Sequence, residues 1–208
     1  MTGLIRILMT GFIAVACFSA AAETIPPDIL ARNTTNDVLR IVKQDKDIKS
    51  GNSKKIHELV EQKILPKFDF RQMTQLAVGK NWNKATPDQQ TSLVNEFRSL
   101  LVKTYSASLA SVADYRVDFK PIKLSASDTD VTVNTEVSKP GAPPIPIDYR
   151  MEKQDTGWKV YDVVVDNVSM VTVYRGSFNS EVRKGGINGL LATLSSRNQN
   201  SGVNGAKK

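Results

Sequence analysis

Near residue 110 the hydrophobic repeat of this chain changes from steps of three and four residues to steps of two, and helical spacing returns only after Ser169. A chain patterned this way keeps its helices and strands in separate stretches, which is the α+β arrangement. The longest helical pattern is Thr86–Ala110. Thr86 caps its start, Pro87 suits the first helical position, Gln89 completes a capping box, and Asp88 favours the positive end of the helix dipole. Leu93, Val94, Phe97, Leu100, Leu101, Tyr105 and Leu109 then fall on one face. Such a helix runs about 35 Å, enough to wall one side of a small domain.

Before it, the pattern predicts a helix from Asp28 to near Lys46–Lys49 and a second over Ser53–Leu65, stopped by Pro66. A third, capped by Asp69, covers Phe70–Val78, and Trp82 lies in the following loop. Beyond residue 110 the alternation predicts four antiparallel strands, around Tyr115–Phe119, Val131–Val137, Ile145–Met151 and Trp158–Val165. A proline-rich loop joins the second to the third, and the turn Asp155-Thr156-Gly157 precedes the fourth. Because the fourth is apolar on both sides, it reads as a central strand covered on both faces. Ser169 caps a further helix, Gly185-Gly186 breaks it, and a short helix covers Ile187–Leu194. The expected architecture is N-terminal helices packed on a curved four-stranded antiparallel sheet, with C-terminal helices. Residues 23–197 form a single domain, and 198–208 form a disordered polar tail.

Met1–Ala22 reads as a signal peptide: Arg6, then the apolar run ILMTGFIAVACFSA, then Ala20-Ala21-Ala22. The 16 residues from Ile7 to Ala22 are short for a membrane span of roughly 20. Cys17 admits a rival cut at a lipidated cysteine, although Ala14-Val15-Ala16 lacks the usual leucine. Removing the segment takes Arg6 and the only cysteine. Of the 28 Lys+Arg, 27 remain against 21 Asp+Glu, a net charge of +6. An exported chain without disulfides depends on its core for stability. Export also favours anionic headgroups or acidic protein surfaces over nucleic acid as partners for this charge.

Little here reads as chemistry. His57, the one histidine, lies on a lysine-rich helix and reads as a surface residue. No His, Cys or carboxylate spacing suggests a metal, no glycine-rich loop suggests a phosphate cradle, and no cofactor is expected. Asp162 and Asp166, four residues apart, form a possible carboxylate pair or ordinary strand-end solvation. The residues leave a binding protein, an exported adaptor and an enzyme with Asp162 or Asp166 as base as the alternatives.

Two ordered stretches resemble the MlaC family of periplasmic phospholipid carriers, also called toluene-tolerance auxiliary proteins. The first, Phe68–Tyr105, carries the family's residues at Phe68, Asp69, Phe70, Met73, Gly79, Trp82, Thr86, Gln89, Phe97 and Tyr105. The second, Trp158–Leu194, carries them at Trp158, Asp162, Val168, Ser169, Tyr174, Arg175, Phe178, Gly186, Gly189 and Leu190. Val78 replaces the family's leucine, and Asp166-Asn167 replaces Glu-Gly.

The resemblance implies a soluble, non-enzymatic shuttle that moves phospholipid between outer and inner membranes. Its implied partners are an outer-membrane lipoprotein–porin complex and an inner-membrane ATP-driven lipid transporter. A monomer is the simplest form for such a shuttle. The acyl tails would lie in an apolar cavity between sheet and helices. Hiding about 30 methylenes from water is worth on the order of 20 kcal/mol, so lipid needs such a slot to cross an aqueous space. Candidate tail contacts are Leu76, Phe97, Leu101 and Tyr105 from the helices. The sheet offers Val133, Ile147, Tyr149, Val163 and Val165, and Val171, Tyr174 and Phe178 would close the slot. Arg150 and Arg175 are candidates for the headgroup.

Overall fold

Asp69, Thr86 and Ser169 cap helix starts as the sequence announces, while the first helix begins on Pro27 with no side-chain cap. The computed structural model describes residues 24–203, with side chains through 200, so the signal peptide expected over Met1–Ala22 lies outside the described residues. Helix α1 (Pro27–Gln44) starts on Pro27 with Asp28 in its first turn. It stops earlier than the pattern predicts, because the Asp45 carboxylate accepts from the Asp47 and Ile48 amides and starts a separate turn, α2 (Lys46–Lys49). Asn52 caps α3 (Ser53–Leu59). The second predicted helix does not stay α-helical to Leu65. It widens into a π turn at Val60–Ile64 and tightens into a 3-10 turn at Leu65–Lys67. Pro66 has no N–H to donate and disfavours α geometry at the residue before it.

Asp69 caps α4 (Phe70–Val78), and the following 3-10 turn, Gly79–Lys84, buries Trp82. Helix α5 (Pro87–Tyr105) has both halves of the Thr86–Gln89 capping box, and a 3-10 turn, Ser106–Ser111, continues it. The last helix, α6 (Met170–Val203), is kinked at Gly185 and Gly186. Gly186 has φ 64° and ψ −163°, a conformation that a side chain would strain. The helix does not end at Leu194, as the sequence analysis expects, but runs on to Val203, into the stretch expected to be a disordered tail. Asn198 is buried, and its side-chain amide donates to the Glu96 carbonyl at 2.9 Å.

The sheet is antiparallel and has five strands, not four, in the order β1-β2-β3-β4-β5. They are β1 (Arg116–Phe119), β2 (Asp130–Ser138), β3 (Ile145–Gln154), β4 (Gly157–Val165) and β5 (Val168–Ser169). The two-residue β5 folds back on β4 through Asp166 and Asn167, both at positive φ (49° and 63°), the hairpin geometry that Asp and Asn tolerate. Strand β4 is therefore next to last rather than central. The far side of β4 is occupied by β5 and by Phe68, which bridges to Val160; the Asp69 amide donates to the Val160 carbonyl at 2.8 Å. A bulge between Arg150 and Met151 shifts the β3–β4 register, so Met151 faces Val160 while Tyr149 faces Val163.

Apolar burial is divided among three clusters. One lies between α4, α5 and α6 around Met73, Leu93, Phe97, Phe178 and Leu190. A second joins α1, α2 and α3 through Val42, Ile48 and Ile56. The third sits on the sheet around Val133, Met151, Trp158 and Val160.

Candidate functional site

The three clusters leave an apolar cleft where they meet. Strand alternation and register put Val117, Val137, Ile147, Tyr149, Met151 and Val163 on one face of the sheet, where they form one wall. Leu30, Thr34 and Val38 of α1 form part of the opposite wall, with Ile64 and Phe68 from the irregular turns after α3. Tyr105, the last residue of α5, Leu109 in the 3-10 turn after it, and Met170 at the start of α6 complete it. The cleft holds about 410 Å³, and among the described residues Lys67 is the only charged one that lines it. A hollow of about 180 Å³ shares Ile64, Phe68, Tyr105, Leu109, Val163 and Met170 with it and extends toward Val60, Met73 and Leu101. The larger volume falls within the range of small-molecule sites. Burial pushes the Tyr149 phenol up from its ordinary value, so it stays uncharged.

The residues expected at a lipid slot divide between this cleft and the packed interior. Ile147 and Tyr149 line the larger hollow, Leu101 lines the smaller one, and Tyr105 and Val163 line both. Phe97, Val171 and Phe178 are buried in the helical cluster, with Leu76 and Tyr174 packed against it. Phe97 meets the rings of Tyr174 and Phe178 edge to face, at 4.9 and 5.1 Å. Val133 is fully buried in the sheet cluster, while Val165 is 38% exposed. Neither arginine reaches the cleft lining. The Arg150 guanidinium pairs with Asp162 at 3.4 Å, and Arg175 Nε donates to the Leu76 carbonyl at 2.8 Å. Sequence reasoning missed Phe68, Ile64 and Met170 as cleft residues. Phe68 had stood only as a residue of the family pattern, and Met170 as the first residue after a cap.

The two aspartates do not form a pair of like function. Asp162 is 2% exposed, and its carboxylate accepts from Ser169 Oγ at 2.6 Å and from the Val171 amide at 3.1 Å. It thus anchors the start of α6 to β4, while Asp166 is exposed in the β4–β5 turn. Asp162→Ala should lower stability by about 2–3 kcal/mol in urea unfolding, because it strands a buried amide and the Ser169 hydroxyl. Asp162→Asn, which keeps an acceptor, should recover at least half of that. Equal losses for the two variants would show that the charge, not the hydrogen bonding, is what matters. Among the described residues, no group of three or more His, Cys, Asp or Glu is placed to hold a metal. No described helix is long and apolar enough to cross a membrane.

This arrangement has counterparts among known proteins. The chain resembles a phospholipid-binding protein from Ralstonia solanacearum, solved in complex with a phospholipid. The two share 39% identity and a TM-score of 0.77, over 83% of this chain and 97% of that one. It is also 23% identical over 188 residues to the toluene tolerance protein ttg2D of Pseudomonas putida, covering 88% of this chain and 86% of that protein. The family model described as MlaC protein matches residues 32–196, which takes in all five strands and every cleft-lining residue except Leu30 and Ala31. The match extends well beyond half the sequence, so the chain belongs to the MlaC family.

Proposed function

We propose that this protein is a periplasmic phospholipid carrier that moves lipid between the outer and inner membranes. Export would follow removal of Met1–Ala22, leaving one lipid-binding domain that works as a monomer. Lipid would pass to and from an outer-membrane lipoprotein–porin complex and an inner-membrane ATP-driven transporter. No bond is made or broken in this role. The observation that carries the reading is the apolar cleft at the junction of three separately packed clusters. The phospholipid bound in the Ralstonia solanacearum protein supports it.

Acyl tails would lie against Ile147, Tyr149, Val163, Tyr105 and Leu101, with Phe68 and Met170 added from the structure. Each tail methylene kept from water is worth about 0.8 kcal/mol, so an apolar slot retains lipid through an aqueous compartment. The cleft offers few hydrogen-bonding groups to select among tails. Native mass spectrometry of protein purified from the periplasm tests the reading. Co-purified phospholipid, in headgroup proportions close to those of the host membrane, is the expected result. Protein that is lipid-free, and that takes up none from phospholipid micelles, would overturn it.

A further inference from the structure

We infer that Lys43, Lys49 and Lys139 form the subsite that holds the phosphate of the bound lipid; this rests on the carrier reading above. The three lysines come from α1, α2 and the residue that follows β2, yet they line one polar hollow of about 840 Å³. Tyr115 belongs to the walls of both this hollow and the apolar cleft, so the two spaces adjoin. A diacyl phosphodiester needs that juxtaposition: an apolar slot for its tails beside a positive mouth for its single negative charge.

The ionic partners single out this hollow. Among the described residues, none of the three lysines forms an ion pair, and Lys139 Nζ lies 5.7 Å from the centre of the Tyr115 ring. At the polar hollow beside the smaller apolar space, Arg98 is paired with Glu61 and Lys103 is bound to the Asn198 carbonyl, which among the described residues leaves Lys54 there without an ion pair, one lysine against three. A third polar hollow has Lys67 without an ion pair among the described residues, but there Lys159 donates to the Pro66 carbonyl and Asp155 offsets the charge. Among the described residues Asp114 is the one carboxylate lining the three-lysine hollow, which leaves a net positive charge there. Ammonium groups act on phosphate as point charges that do not demand a fixed geometry. The subsite therefore recognises the phosphate shared by all phospholipids and leaves the headgroup alcohol in water.

The test compares two ligands with identical tails, dioleoyl phosphatidylglycerol and dioleoylglycerol, presented together in mixed detergent micelles. Occupancy is read by native mass spectrometry. The wild-type protein should prefer the phospholipid, and the preference should shrink as salt is raised. The triple variant Lys43→Ala, Lys49→Ala, Lys139→Ala should lose about tenfold of that preference while still taking up dioleoylglycerol. A control of equal charge loss, Lys63→Ala, Lys84→Ala, Lys123→Ala, should keep it. Excess inorganic phosphate should compete only weakly, because it brings no tails to the cleft. An unchanged preference in the lysine triple variant, or an equal loss in the control, overturns the subsite and leaves the carrier reading standing. Failure of the wild-type protein to bind either ligand overturns both.

Discussion

Val163→Glu should strip the protein of co-purifying phospholipid, reducing occupancy by at least about tenfold, while the chain remains folded. Val163 lines both apolar hollows and faces Tyr149 across the β3–β4 pairing, so a carboxylate there projects into the space proposed for the tails. An ionised carboxylate surrounded by hydrocarbon is too costly to keep, so it either retains water or takes up a proton. Lipid is excluded in the first case. In the second, the carboxyl pKa is raised by desolvation, so uptake should partly recover as pH falls toward 5 and below. Folding survives because the site borders open space rather than packed atoms. Val165→Glu is the control. That residue is 38% exposed and outside the cleft lining, and its variant should retain lipid. Lipid content in Val163→Glu equal to wild type would refute the placement of tails against this strand.

Phe97→Ala should have the opposite profile, with a large loss of stability and little change in lipid content. Phe97 is fully buried, and both of its edge-to-face neighbours belong to α6. Removing a buried phenyl ring costs about 3–5 kcal/mol when the surroundings cannot collapse into the gap. For a chain of this size each kcal/mol lowers the melting temperature by about 2–4 °C, giving a drop on the order of 6–20 °C. Lipid per folded molecule, measured well below the transition, should stay near wild type, because Phe97 does not line the cleft. Lost lipid with little change in melting would instead make Phe97 a wall of the slot, as the sequence analysis expects.

These two variants mark the boundary of what was legible in the residues. The Thr86–Gln89 capping box, the Asp69 cap and the turn at Gly157 form as the sequence predicts, because each depends on residues a few positions apart. The strand β5 was missed although Asp166-Asn167 signalled its turn, since two residues are too few to show alternation. The break at Asp45 was missed for a similar reason. Its carboxylate competes with the backbone for the next amides, and an apolar repeat does not register that.

The candidate site was legible in part. Alternation placed Ile147, Tyr149 and Val163 on one sheet face, and they line the cleft. The same reasoning grouped Phe97, Val171 and Phe178 with them, and those three pack together elsewhere. A phenylalanine that fills a core and one that walls a cleft follow the same periodic rule.

From the sequence alone came the kinds of element, their order, most of their ends and the change from helix to antiparallel sheet. Those features follow from local propensity and repeat. Tertiary structure alone decided which apolar faces touch and which stand apart, and where the free lysines gather. Such gaps depend on how far apart elements come to rest, and the turn at Pro66, the Arg150/Met151 bulge and the Gly186 kink are departures from regular backbone that a hydrophobic repeat does not register.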